Sequence, residues 1–279
     1  MFKGLEYISD YVNKDKHLGI PCIVDGRDVY DLYNADLIEE PELNPENIDS
    51  DFFSNAGGNS FYINYFKMPS FSMTVSFYVG GSTSLEAQTN YSKFISYFNG
   101  RVAVMQFGDT EFEYVCSLKS FDVSYTNVKY YYLLSITFNA IKRLPKVSAI
   151  ISNNISSGFI INNVGTKDSG VILVIDGTYS SLNIVVNDNT INVTDIPSGK
   201  ILVLDGLDGV IAAADSYDDY KDGDYLNLFL YSDIIVFPKL LPGVNNISIS
   251  GGTIQNVVIE YYPLFILWGA YDFKNLWCK

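Results

Sequence analysis

Ile234-Ile-Val-Phe-Pro-Lys-Leu-Leu-Pro-Gly-Val-Asn-Asn-Ile-Ser-Ile249 is the stretch from which the fold is read. Ile234 to Phe237 is apolar and rich in β-branched residues, the composition of a strand buried on both faces. Pro238 has no backbone donor, so it belongs at a strand end or on an unpaired edge. Pro242-Gly243 offers a fixed φ followed by a residue free to take a positive one, as a turn requires. Asn246 to Ile249 alternates polar and apolar, the pattern of a half-buried strand. Gly251-Gly252 predicts the next turn and Thr253 to Tyr261 another strand. Together these features predict the corner of a β-sandwich.

Working outward, the same punctuation fills the second half. Short apolar runs at 158–161, 171–175, 182–186, 190–193, 200–204, 210–213, 225–230 and 254–261 are separated by Asp-Gly, Asn-Asp-Asn, Pro-Ser-Gly and Gly-Gly turns. Spacing of roughly 8–12 residues with no helical period predicts an all-β sandwich. The acidic segment from Asp215 to Asp224 resembles a calcium loop at first sight. In that register Asp218 and Asp222-Gly223 fit, but Tyr220 holds a ligand position and Phe229 stands where the bidentate acid belongs. It reads as an acidic hairpin tip.

The first half differs. Ile20 to Val24, Asp25-Gly26 and Val29 to Tyr33 predict a hairpin with a tight turn. From Asp25 to Asp51 ten acids face one base, Arg27, in a solvated connection. Phe71, Met73, Val75, Phe77 and Val79 alternate as a strand. Thr83 or Ser84 then caps a helix whose stripe is Leu85, Tyr91, Phe94, Ile95 and Phe98, stopped by Asn99-Gly100. Strands follow at 102–107, 112–118, 121–125 and 130–138, and the aromatic run Tyr130-Tyr131-Tyr132 reads as packing or a subunit interface. The chain is therefore expected to be mainly β, with an N-terminal α+β domain of antiparallel strands plus one helix, followed by a β-sandwich. The basic cluster Ile141-Lys-Arg-Leu-Pro-Lys146 marks the boundary, giving domains 1–143 and 144–279.

Composition narrows the function. There are 18 basic and 32 acidic side chains, a net charge of −14, shared equally at −7 on either side of Pro145. Neither half can hold a phosphate backbone by counterion release, and an anionic membrane surface is disfavoured for the same reason. The three cysteines, Cys22, Cys116 and Cys278, show no metal spacing and read as reduced, buried thiols. The opening Met-Phe-Lys-Gly-Leu-Glu-Tyr has no apolar core of a secretory signal, which predicts a protein made in the cytosol. The one histidine, His17, lies in a polar segment, and no GxSxG, GxxxxGK[ST], GxGxxG or HExxH motif occurs. Carboxylates are numerous but lie in turns, so no catalytic, cofactor-binding or metal-ligating residues are expected and a structural protein is favoured over an enzyme.

With both halves read, the chain resembles the distal tail proteins (Dit) of siphophages infecting Gram-positive bacteria. The resemblance rests on Asp25-Gly26 in the early hairpin, on the strand Phe71 to Val79 with the helix after it, and on Phe112-Glu-Tyr114. In the second half it rests on Ser169-Gly170-Val171, Val203-Leu204-Asp205 and above all on Phe237-Pro238, Pro242-Gly243 and Asn245. It implies a hexameric ring at the tail tip, made by the N-terminal domain, with a galectin-like sandwich projecting outward. Its implied partners are the major tail protein, the tail-associated lysin or fibre, and receptor-binding proteins. The place implied is the virion, after synthesis in the bacterial cytoplasm. The acidic balance suits a ring through which DNA passes without sticking. Residues 262–279, with Trp268 and Trp277, form an extension beyond the family pattern. The alternative is a carbohydrate-binding module or adhesin acting at the host surface.

Overall fold

A computed structural model describes residues 20–45, 50–54, 61–66, 71–108, 110–126, 129–153 and 155–266. His17, Trp268, Trp277 and Cys278 lie outside them. The protein is mainly β with antiparallel sheets, and it divides into two compact units between Arg143 and Leu144 and again between Phe265 and Ile266.

The first unit opens with β1 (Cys22–Val24) and β2 (Arg27–Asp28), joined through Asp25 and Gly26. Both turn residues have positive φ, 48° and 76°, as a two-residue type I′ connection requires. The expected return strand at 29–33 is instead a short helix, α1 (Val29–Tyr33). Asp28 accepts a bond from the Tyr30 amide as its N-cap, and Asn34 closes it at φ 47°; these local caps overrule the apolar run. Then come β3 (Ala35–Leu37), β4 (Glu42–Pro45), β5 (Ser50–Ser54), β6 (Phe61–Phe66), β7 (Phe71–Gly80), α2 (Ser84–Phe98), β8 (Val102–Phe107), β9 (Glu113–Tyr125) and β10 (Tyr131–Arg143). Strands β5 and β6 pair with each other, whereas the main sheet runs β2-β1-β8-β9-β10-β7-β3 with β4 also on β7. The strand expected separately at 121–125 is continuous with 113–118, through a bulge between Leu118 and Ser120 where the register against β10 shifts at Thr137/Phe138.

The alternation of β7 is what seats α2. Phe71, Met73, Val75, Phe77 and Val79 are all buried, whereas Tyr78, on the other face, is exposed. Phe94 of α2 meets Phe77 edge-on at 4.9 Å, and Phe98 meets Phe138 of β10 at the same distance. Thr83 is the N-cap, its hydroxyl accepting from the Glu86 amide at 3.2 Å. In the Tyr130–Tyr132 run, Tyr132 is buried and packs against Tyr91 and Tyr125, at 5.0 and 5.5 Å.

The second unit contains β11 (Val147–Ile151), β12 (Phe159–Asn163), β13 (Ser169–Val186), β14 (Asn189–Val193), β15 (Ile201–Asp205), β16 (Val210–Ala214), α3 (Tyr217–Asp222), β17 (Leu226–Asn227), β18 (Lys239–Leu240) and β19 (Gly243–Tyr261). Its frame is the pair β13 and β19, antiparallel along nearly their whole length. The runs expected as separate strands at 171–175 and 182–186 are the two ends of β13, and those at 246–249 and 254–261 are the two ends of β19. Gly251-Gly252 is thus a corner within a strand, not a turn between strands. There Gly251 sits at φ 112°, and a Cβ on it would lie 2.6 Å from the Ser181 carbonyl oxygen.

Each long strand consequently runs through both layers of one nine-stranded sheet. The first part of β13 pairs with β15 and the late part of β19, while its second part pairs with β14 and the early part of β19. Leu173, Ile175, Ile184, Ile191, Ile249 and Ile259 from the two layers share one core. The β13–β15 region is covered on its other face as well, where Tyr217 and Tyr220 of α3 pack on Ile172, Val174 and Val203. Double burial explains why these strands read as continuous apolar runs. Helix α3 replaces the expected acidic hairpin tip. Ser216 caps it by accepting from the Asp219 amide, Asp218 and Asp219 lie in its first turn, and Gly223 ends it at φ 87°.

Candidate functional site

Three features of the chain have enough order to act as sites: the signature stretch, a carboxylate–tyrosine cluster, and an apolar ribbon. The signature stretch departs from expectation at its start. Ile234 to Phe237 is not a strand but an irregular segment, with Ile235 95% exposed and Val236 58% exposed. Phe237 turns inward against the sandwich core, and Pro238 stands directly before β18, which pairs with Ser169-Gly170 of β13. Pro242 precedes Gly243, at φ 85°, which opens β19.

Asn245 is fully buried and organises this turn. Its amide nitrogen donates to the carbonyl oxygens of Leu241 and Gly243 at 2.8 and 2.9 Å. Its Oδ1 accepts from the Leu241 amide at 2.7 Å and from the Asn187 side chain at 2.8 Å. A buried polar side chain is tolerable because every one of its groups is paired. Asp25 and Gly26 lie in the other unit, so the signature residues do not form one site. Asp25 accepts bonds from the Val104 amide and the Tyr97 hydroxyl, which ties the β1–β2 turn to β8 and α2. Of the seven positions, Asp25 and Asn245 hold their turns by these bonds, and Gly26 and Gly243 supply the positive φ the turns need.

Among the described residues, the second feature has the outline of acid–base chemistry. Asp205 and Glu260 pair on opposite sides of Ile172, so their carboxylates flank one position of the sheet. Tyr220 donates to Asp205 and Tyr217 to Glu260, each at 2.8 Å, and Lys146 donates to Glu260 at 2.8 Å. Burial pushes the Glu260 carboxyl up, but the bonds from Lys146 and Tyr217 outweigh it and the net direction is down. Burial, reinforced by the carboxylates, holds both tyrosines well above the ordinary value. A general acid needs a carboxyl raised towards neutrality, and Glu260 moves the other way. The cluster works as a clamp: two hydroxyls fasten α3 onto the sheet, with the tyrosine rings stacked at 6.0 Å. Its signal was in the sequence, as a Ser216-x-x-Asp219 cap with Tyr217 and Tyr220 on one face. Among the described residues no group of three or more His, Cys, Asp or Glu gathers to hold a metal ion, and no helix is long and apolar enough to cross a membrane.

The third feature was not singled out as a surface by sequence reasoning. Between 225 and 236 the side chains of Tyr225, Leu226, Phe229, Leu230, Tyr231, Ile235 and Val236 are all exposed. Leu228 alone of this run is fully buried, its amide bonded to the Ile211 carbonyl at 2.8 Å. A 3₁₀ turn at Phe229–Tyr231 follows, and the chain then runs along β14. The Tyr231 carbonyl accepts from the Thr194 amide at 2.8 Å, and Asp233 takes bonds from the Asn192 amide and side chain at 2.7 and 2.6 Å. Asn189 donates to the Val236 carbonyl at 2.9 Å. The Asn192 bonds hold the Asp233 carboxyl below its ordinary range. The ribbon is therefore stapled in place with its apolar side chains outward.

No family model matches the sequence, and no curated protein sequence matches it. Among solved structures, the crystal structure of the SPP1 Dit protein, described as a paradigm of hub adsorption apparatus in phages infecting Gram-positive bacteria, matches with TM-score 0.60 at 13% identity. That match covers 88% of this chain and 99% of the SPP1 protein. The fold is that of a phage Dit protein. Neither unit alone amounts to such a share of the chain, so the likeness to Dit takes in both. Chains of the phage p2 baseplate in its activated conformation, with strontium and with calcium, match at TM-scores of 0.48 and 0.41, each at 10% identity. They cover 87% and 80% of this chain and 97% and 90% of their own.

Proposed function

We propose that this chain is a structural, non-enzymatic protein of a phage tail tip, six copies of which form a ring at the distal end of the tail tube. The observation that carries the reading is the fold match to SPP1 Dit across both units and nearly the whole of that protein. In this reading the first unit makes the ring and the second, a galectin-like sandwich, projects outward. The ring joins the tube to the tail-associated lysin or fibre and to receptor-binding proteins. The net charge of −14 keeps such a ring from holding passing DNA. Every ordered feature of the signature stretch and of the carboxylate cluster is accounted for by structural support, in line with this role.

Light scattering coupled to size exclusion, over a range of concentrations, tests the proposal. A mass of six chains, or of three that doubles as concentration rises, is the expected result. A strict monomer at high concentration overturns the ring and makes glycan binding by residues 144–279 the next measurement.

A further inference from the structure

The ribbon at 225–236 is ordered and apolar for a reason that its own fold does not supply. Its first part pairs with β16 through Leu226-Asn227, and from Tyr231 onward its backbone covers the free edge of β14, which otherwise pairs only with β13. Covering an edge takes carbonyls, amides and Asp233, and the side chains of Leu230 and Ile235, 91% and 95% exposed, contribute nothing to it. Polar residues at those positions would protect the edge equally well. A run of exposed apolar side chains on a backbone held in place by hydrogen bonds is the mark of a contact with another molecule.

The charges around the ribbon say which kind. Between Asn187 and Leu241 the chain carries ten aspartates and three lysines. Two of those lysines, Lys200 and Lys221, are paired with Asp215 and Asp218. Asp188, Asp195, Asp224 and Asp233 are exposed on or beside the ribbon and its β14 support. An apolar strip with an acidic rim repels its own copy across a two-fold contact and complements a surface whose apolar centre has a basic rim.

We infer that residues 225–236 dock a second, different protein through an apolar contact bordered by that partner's lysines and arginines. In the tail-tip reading, on which the biological setting of this inference rests, the partner is another protein of the particle, held by the second unit and not by the ring.

A photo-crosslinking benzoyl-phenylalanine placed at Val236 of the full chain, irradiated in the cells that make it, tests the inference. The crosslinked peptide identified by mass spectrometry is expected to come from a different protein, with apolar residues flanked by more Lys and Arg than Asp and Glu. The pair Leu230→Ser and Ile235→Ser is expected to lower the yield at least about tenfold while leaving the unfolding midpoint unchanged, since neither side chain packs in the core. A crosslink to a second copy, to residues 267–279 of the same chain or to an acidic segment overturns the inference, as does no crosslink or a yield the substitutions do not change. Mass spectrometry of purified particles reports separately whether the chain is a tail component, so the two readings fail in distinguishable ways.

Discussion

The side-chain amide of Asn187 donates to Oδ1 of Asn245 at 2.8 Å across 58 residues of sequence, and the Asn187 Oδ1 accepts from the Asn246 amide at 3.0 Å. The β13–β14 turn and the start of β19 are thereby locked to each other at the mouth of the signature turn. Asn245 is the centre of this lock because it bonds backbone on one side and Asn187 on the other.

Asn245→Ala strips partners from the Leu241 amide, two carbonyls and Asn187 at once. It is expected to cost about 3 kcal/mol, read as a lower urea midpoint of the second unit. Asn245→Asp keeps the acceptor but loses both donated bonds, and is expected to fall between wild type and alanine. A shift for Asn245→Ala no larger than that of an exposed asparagine, such as Asn99→Ala, would contradict the role assigned here.

Gly251→Ala brings a Cβ to 2.6 Å from the Ser181 carbonyl oxygen, at a φ of 112° that side chains rarely adopt. The corner of β19 must open, at a cost of roughly 1–3 kcal/mol or more. Thermal unfolding followed by circular dichroism measures it. An unchanged midpoint would mean that the corner is not strained.

The Glu260 carboxyl lies below its ordinary value of 4.5 in the folded chain, its bonds from Lys146 and Tyr217 overcoming burial. A carboxyl depressed on folding adds stability that is fully present above its unfolded value and is lost as pH falls through the folded one. Urea midpoints measured downward from pH 5 are thus expected to drop, and more steeply for wild type than for Glu260→Gln. Equal slopes would remove Glu260 from the acid sensitivity.

Cys22 and Cys116 are buried free thiols, and burial pushes both well above the ordinary thiol range. Neither presents a thiolate at neutral pH. Peptide-level mass spectrometry after iodoacetamide is expected to find both unmodified in the native chain and modified in urea. Rapid native labelling of either would show that the sheet of the first unit opens.

Much of this was legible from local pattern. The alternation from Phe71 to Val79 predicted its strand, Thr83 and the stripe through Phe98 predicted α2, and Asp25-Gly26 predicted a tight turn. The regular spacing of short apolar runs predicted an antiparallel, mainly β chain. The same signals were underread at α1 and α3, where capping by Asp28 and Ser216 overcame an apolar run and an acidic one.

By itself, then, the sequence determined what local periodicity and caps determine: most of the strands, the main helix, and a charge that disfavours nucleic acid. Tertiary structure alone decided that paired runs join into β13 and β19, because a glycine pair reads alike as a turn or as a corner until the opposing strand occupies its space. It also decided that Ile234 to Phe237, apolar enough for a buried strand, lies outside the sheet with Ile235 in solvent. Burial depends on which partners reach a residue from distant parts of the chain: Phe237 finds the core, whereas Val236 meets β14 through its carbonyl, bonded by Asn189, and leaves its side chain exposed.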